Sequence, residues 1–161
     1  MLLVAAIGLL VWRGDREDAQ QRTTPEGTSV GAEVLRVVDG DTIEVELDGG
    51  EVEDVRYIGV DTPESVAPGE PVECFGKRAS AFNERLVGGR TVTLRFDRER
   101  RDRYGRLLAY VYADSRLVNA ELVRGGYART LTIAPNDARA SLFARLEQDA
   151  GRAARGLWGA C

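Results

Sequence analysis

The sequence predicts an α+β domain, a small five-stranded β-barrel with about three helices. Three observations carry that expectation. Short segments such as TIEVEL (42–47) alternate apolar and polar residues with a period of two, the mark of a half-buried strand. A segment of helical spacing falls between the third and fourth strand segments. The last stretch before the C-terminus again has helical spacing. Five strands with a helix between the third and fourth fit a closed barrel of the OB type.

The elements follow in order. The chain opens with an apolar run, residues 1–12, shorter than the roughly 20 residues needed to cross a bilayer. Its length suits the core of a signal peptide, but no basic residue precedes it and no Ala-x-Ala site follows. It is expected to be an export signal or membrane anchor, truncated from a longer leader; a buried or disordered tail is the other reading. Residues 13–29 are polar, charged and without periodicity, as in a disordered linker. The folded domain is expected over residues 30–161. Strand signals occupy 32–38, 42–47 and 52–60, with Asp48, Gly49 and Gly50 as the turn between the last two. Ala79, Phe82 and Leu86 mark the first helix, which the Gly88–Gly89 pair ends. Segments 90–96 and 107–113 are the remaining strands, and 116–126 reads as a strand end and a short helix. A last helix is expected over 136–158, with Ala138, Leu142, Leu146 and Ala150 on one face and Asn136 or Asp137 as its cap.

Composition narrows the chemistry. The chain of 161 residues has a net charge of −4 and no histidine. The missing histidine removes His-based triads, His-based general acid–base nucleases and nearly all zinc hydrolase patterns. Any hydrolytic chemistry would have to run on carboxylates and arginines, with or without a hard, oxygen-seeking cation. The acidic balance argues against wholesale coating of nucleic acid, but an active site needs only a local positive patch. Lys77 is the sole lysine, so the basic residues are otherwise all arginine, the residue suited to bidentate phosphate contacts.

Cys74 and Cys161 are either a bridge or two unrelated thiols. Two cysteines in an otherwise cysteine-free chain behind an apolar leader favour the bridge, which would pin the C-terminus to the barrel.

Two turn-like motifs gain meaning together. Asp39, Gly40 and Asp41 join two strands, and Asp61, Thr62, Pro63 and Glu64 end a third. Each alone is an ordinary turn or cap. In a barrel, strand ends can sit side by side, so Asp41 and Asp61 would offer oxygens to one cation, Ca²⁺ or Mg²⁺ rather than Zn²⁺. Glu64 could then hold or deprotonate a water. Arg56 and Arg106 would grip a phosphate and offset the charge that builds during attack.

The motifs VVDGDTIEV, RYIGVDTPE and DRYGRLLAYVYADSRLVNAELVRGGYAR, in this order and spacing, resemble the staphylococcal-nuclease (thermonuclease) family over about residues 32–158. The resemblance implies a calcium-dependent endonuclease on an OB-like barrel, which cuts DNA and RNA with little sequence preference and leaves 3′-phosphate ends. Carried over position by position, Asp41, Asp61 and the Thr62 carbonyl become metal ligands. Arg56, Glu64 and Arg106 become catalytic, and Arg103 and Tyr104 lie beside the neighbouring phosphate. Asp39 either supports the metal ligands from behind or simply forms the turn. The segments ECFGKRAS and GLWGAC resemble exported members, which supports the bridge and an extracytoplasmic location, secreted or membrane-anchored. A monomer with no obligate protein partner is expected. Segment 130–135 lacks the tyrosines that the best-known member sets against the nucleotide, and Tyr127 just before it is the nearest replacement. A non-catalytic nucleic-acid- or protein-binding barrel is the alternative, and a calcium-stabilised structural domain a second.

Overall fold

The computed structural model describes residues 28–65 and 72–161. The apolar segment 1–12 and linker residues 13–27 lie outside the described residues, so the expectations for them are not addressed. Among the described residues, eight strands and four helical segments follow one another. They are β1 (Ser29–Asp39), β2 (Thr42–Leu47), β3 (Val52–Tyr57), β4 (Gly59–Asp61), α1 (Gly76–Val87), β5 (Thr91–Arg95), β6 (Leu107–Ala113), β7 (Arg116–Leu117), α2 (Val118–Arg124), β8 (Arg129–Leu131), α3 (Ala140–Arg152) and the single turn α4 (Leu157–Ala160).

Five of the strands close a mixed barrel. The order is β3-β2-β1-β5-β6, and a parallel β3–β6 pairing shuts the ring. β1 serves both neighbours because it is long and bulged: Ser29 to Glu33 pair β5, and Ala32 to Asp39 pair β2 with irregularities at Val34/Arg36 and Val37/Asp39. Inward residues such as Ile43, Val45, Val55, Leu94 and Val111 have no exposure and fill the interior. Asn119 ties α2 to this barrel: its amide accepts from the Val111 N–H (2.9 Å) and donates to the Ile58 carbonyl (2.9 Å).

Two expectations needed correction. Residues 52–60 are not one strand. The chain breaks after Tyr57, and β4 leaves the barrel to form a separate ribbon with β8. Gly59 makes the break possible. Its φ is +79°, and an added Cβ would lie 2.5 Å from the Phe143 ring. The C-terminal helix also starts later and ends sooner than 136–158. Asn136 does not cap it. Its side chain instead exchanges two 2.8 Å hydrogen bonds with the Glu99 main chain, and Ala138 lies exposed before the helix. The helix stops at Arg152. The chain then turns so that the Leu157 N–H reaches the Gly126 carbonyl (2.8 Å), an approach that leaves no room for a Cβ at Gly156.

Candidate active site

The β1–β2 turn carries Asp41 into the protein. Its carboxylate is 5% exposed and accepts from the Thr62 N–H (2.8 Å) and the Thr42 hydroxyl (3.2 Å). Glycine is required just before it, because a Cβ at Gly40 would fall 2.6 Å from the Thr62 hydroxyl. Burial pushes the Asp41 carboxyl above the usual carboxylate range, against the pull of the Arg56 guanidinium and the Thr62 N–H.

Arg56 stands opposite Thr42 in the β2–β3 register, and so reaches across the same barrel mouth. Its Nη1 lies 2.8 Å from Asp41 Oδ2, and its Nη2 lies 2.8 Å from Asp61 Oδ1. The same guanidinium donates to the Val60 carbonyl at 2.9 Å. The break at Gly59 turns Val60 and Asp61 back toward Arg56. The two carboxylates expected to share a cation do converge, and they converge on this arginine. Arg56 therefore faces the carboxylates in this structure rather than standing free for a phosphate. The physical reason is that two close carboxylates need a positive charge between them.

Glu64 sits on the other side of the turn, beside Asp39. Burial raises the Asp39 carboxyl, against hydrogen bonds from the Ser65 hydroxyl and the Gly40 N–H, and the adjoining Glu64 carboxyl adds to the rise. Ser65 Oγ donates to Asp39 at 2.6 Å, and Asn83 Nδ2 donates to the Asp39 carbonyl at 3.2 Å. Asn83 in turn accepts from the fully buried Tyr57 hydroxyl (3.0 Å). Asp39 is thus more than a turn residue, since it anchors the loop that holds Glu64. The Glu64 main chain is also clamped by Glu73. Glu73 Oε2 accepts from the Glu64 N–H (3.0 Å), and the Glu73 N–H donates to the Glu64 carbonyl (2.9 Å). Sequence reasoning missed Ser65, Glu73 and Asn83, because only the tertiary fold brings them to the acids.

Arg106 follows a turn in which Gly105 has φ +86°. Its Nε and Nη2 both lie 2.7 Å from Asp102 Oδ2. Burial alone would raise the Asp102 carboxyl, but the Arg106 guanidinium and the N–H groups of Tyr104 and Arg106 hold it below the usual range. Tyr104, 68% exposed, has the Arg103 guanidinium 4.8 Å and the Arg106 guanidinium 5.5 Å from its ring centre.

A cleft of about 550 Å³ brings Arg56, Arg103, Tyr104 and Arg106 into one lining, with Leu131 and Ile133 as an apolar wall; Asp41, Asp61, Thr62 and Glu64 are not in that lining. Tyr127 does not replace the missing tyrosines. It stacks on Phe82 (4.0 Å, 9°) between α1 and the chain after α2, away from the cleft.

The donor set suits a hard cation. Every candidate ligand is oxygen, and Thr62 Oγ1 is buried beside Asp41 with no hydrogen-bond partner. Among the described residues, no three Asp, Glu, His or Cys side chains gather as a ready cage. An ion here would have two carboxylates and a main-chain carbonyl, with water completing its shell, as hard divalent cations accept.

Cys74 and Cys161 are joined in a disulfide, with Cα atoms 6.0 Å apart and a sequence separation of 87. It ties the C-terminus to the residue after Glu73. Among the described residues, no helix is long and apolar enough to cross a membrane.

Comparison with known proteins agrees with this architecture. Residues 54–160 match the family described as Staphylococcal nuclease homologue. The chain is 38% identical over 161 residues to Thermonuclease of Staphylococcus intermedius, covering 98% of this chain and 94% of that protein. It is 40% identical over 125 residues to Thermonuclease of Staphylococcus hyicus, covering 78% of this chain and 73% of that protein. Endonuclease YncB of Bacillus subtilis is 42% identical over 125 residues, covering 76% of this chain and 59% of the relative. With an OB-like barrel and a family match over most of its length, the chain belongs to the staphylococcal nuclease family.

Proposed function

We propose that the protein is a calcium-dependent endonuclease that hydrolyses DNA and RNA with little sequence preference and leaves 3′-phosphate ends. The observation that carries this reading is the pair Asp41 and Asp61, each 2.8 Å from one guanidinium at the mouth of an arginine-lined cleft. The names of the relatives, thermonuclease and endonuclease, support the reaction class.

Asp41, Asp61 and the Thr62 carbonyl would hold Ca²⁺. When bound, the ion supplies Lewis-acid polarisation of the phosphate and a low-pKa water. Glu64, its main chain held by Glu73 and its neighbour Ser65 bonded to Asp39, orients and deprotonates the attacking water. Arg56 would grip the phosphate oxygens and offset their charge. Arg106 stabilises the charge that builds on the phosphate; a guanidinium holds its protons too tightly to serve as an easy acid. Asp102 fixes the Arg106 fork, and Arg103 and Tyr104 hold the neighbouring phosphate. The open cleft and its apolar wall suit unpaired nucleotides of any sequence, because every base offers a face to pack.

The disulfide supports an oxidising, extracytoplasmic compartment, with the protein secreted or membrane-tethered and acting as a monomer. The experiment is a digest of single-stranded DNA and of RNA with end-group analysis. Fragments with 3′-phosphate and 5′-hydroxyl ends support the reading, and binding without cleavage contradicts it.

A further inference from the structure

The β4–β8 ribbon holds an arginine that the proposed reaction leaves unused. In its antiparallel register Gly59 stands opposite Leu131, Val60 opposite Thr130, and Asp61 opposite Arg129. Directly opposed residues share a face, with Cβ atoms about 5 Å apart, and residues two apart share it too. One face of the ribbon therefore carries Gly59, Leu131, Asp61 and Arg129. The burial pattern agrees. Val60 is buried and Thr130 is bonded to Glu147 of α3 (2.8 and 2.7 Å), whereas Asp61, Arg129 and Leu131 are exposed. Gly59 and Leu131 line the cleft. Two residues along the ribbon, Asp61 is a candidate metal ligand and Arg129 is its cross-strand neighbour.

Arg129 is held in place. Its guanidinium lies 4.5 Å from the centre of the Trp158 ring. Trp158 is fixed by α4, which ends at the Cys74–Cys161 disulfide. Stacking uses the flat face of a guanidinium and leaves its edge donors for a bidentate partner. Among the described residues Arg129 has no carboxylate partner, and the charge of neighbouring Asp61 is already met by Arg56.

We propose that Arg129, seated on Trp158, is a phosphate-binding subsite for the polynucleotide strand on the side of Asp61 away from the cleft. This rests on the nuclease reading for its ligand, a backbone phosphate of single-stranded nucleic acid. It extends the track of positive side chains to a line running from Arg103 and Arg106 through Arg56 to Arg129. A strand lying on it is gripped on both sides of the reacting phosphodiester.

The test measures binding of a labelled 20-nucleotide thymidine strand to the whole protein in chelator, by anisotropy, over a range of salt. Each phosphate contact contributes a slope of about 0.7 in log K against log salt for single strands. Arg129→Gln is expected to reduce the slope by about that amount, which weakens binding about fivefold at 0.1 M salt relative to 1 M. Arg129→Lys should keep the slope, whatever it does to thermal stability. With calcium, Arg129→Gln should raise KM for the 20-mer at constant kcat, and leave both constants unchanged on a substrate with one phosphodiester. A purely structural pin would lower the melting temperature of both variants and leave slope and KM alone, and that result overturns the proposal. So does a wild type that does not bind the strand. A wild type that binds but does not cleave defeats the nuclease reading instead, while the slope still decides the role of Arg129.

Discussion

Arg56 and Asp41 form a 2.8 Å ion pair in which both side chains are largely withdrawn from water, 15% and 7% exposed. The pair joins the end of β3 to the β1–β2 turn, so the candidate metal site is also part of what holds the barrel mouth closed.

Removing one partner of such a pair leaves the other buried and uncompensated, at a cost of about 3–5 kcal/mol. Arg56→Ala is therefore expected to lower the urea midpoint substantially without calcium. Calcium should restore part of the loss, because a ligand at 100 times its Kd stabilises the native state by about 2.7 kcal/mol. Equal urea curves for wild type and variant would show that the pair is not a structural element.

Glu64→Gln and Arg106→Ala act on the chemistry. Loss of a general base costs roughly 10²–10⁴ in rate, and loss of a charge-stabilising donor about 10²–10³. Both variants should keep a native circular dichroism spectrum. A rate close to wild type in either would remove that residue from the mechanism.

Asp102 gives a pH signature. Its folded pKa lies below the ordinary value, so its contribution to stability is complete above the unfolded pKa of about 3.9. It is lost as pH falls through the lower, folded value. Asp41 has the opposite sign. Its pKa is raised, so protonating it on the way down toward the unfolded value favours the fold. Urea midpoints of wild type and Asp102→Asn should differ by a constant amount down to about pH 4 and converge only at lower pH, as the folded value is passed. A gap that stays constant below about pH 4 would show that Asp102 does not gain from Arg106.

The disulfide should matter to both stability and rate. Closing a loop of this length contributes about 4–5 kcal/mol in the chain-entropy account. Cys74 adjoins Glu73, which clamps the Glu64 main chain at 2.9 and 3.0 Å. Reduction is expected to lower the cleavage rate at temperatures where circular dichroism still reports a folded protein. Two alkylatable thiols in the native, unreduced protein would contradict the bridge.

How much was legible in the sequence depended on the range of the interactions. TIEVEL coincides with β2 because its alternation writes a period of two into the chain, and LLAYVYA coincides with β6 as a short continuous apolar run, most of it buried. The β4–β8 ribbon has three residues on each side and leaves no such trace, so the break at Gly59 went unread. Asn136 looked like a helix cap, but a cap signal cannot compete with two bonds to the Glu99 main chain. At the site, Asp41, Arg56, Asp61 and Glu64 were legible as motifs. That Arg56 bridges the two aspartates was not, nor were Ser65, Glu73 and Asn83, which reach Asp39 and Glu64 only through the tertiary fold.

The most direct test is the rate of single-stranded DNA cleavage by wild type and Asp41→Asn across a calcium titration, with a chelator control. Cleavage by wild type should saturate with calcium and vanish in chelator. In Asp41→Asn the rate should fall by at least about two orders of magnitude, or the calcium requirement should shift far upward. Equal wild-type rates in calcium and in chelator, or an Asp41→Asn rate matching wild type, would contradict a calcium site at Asp41.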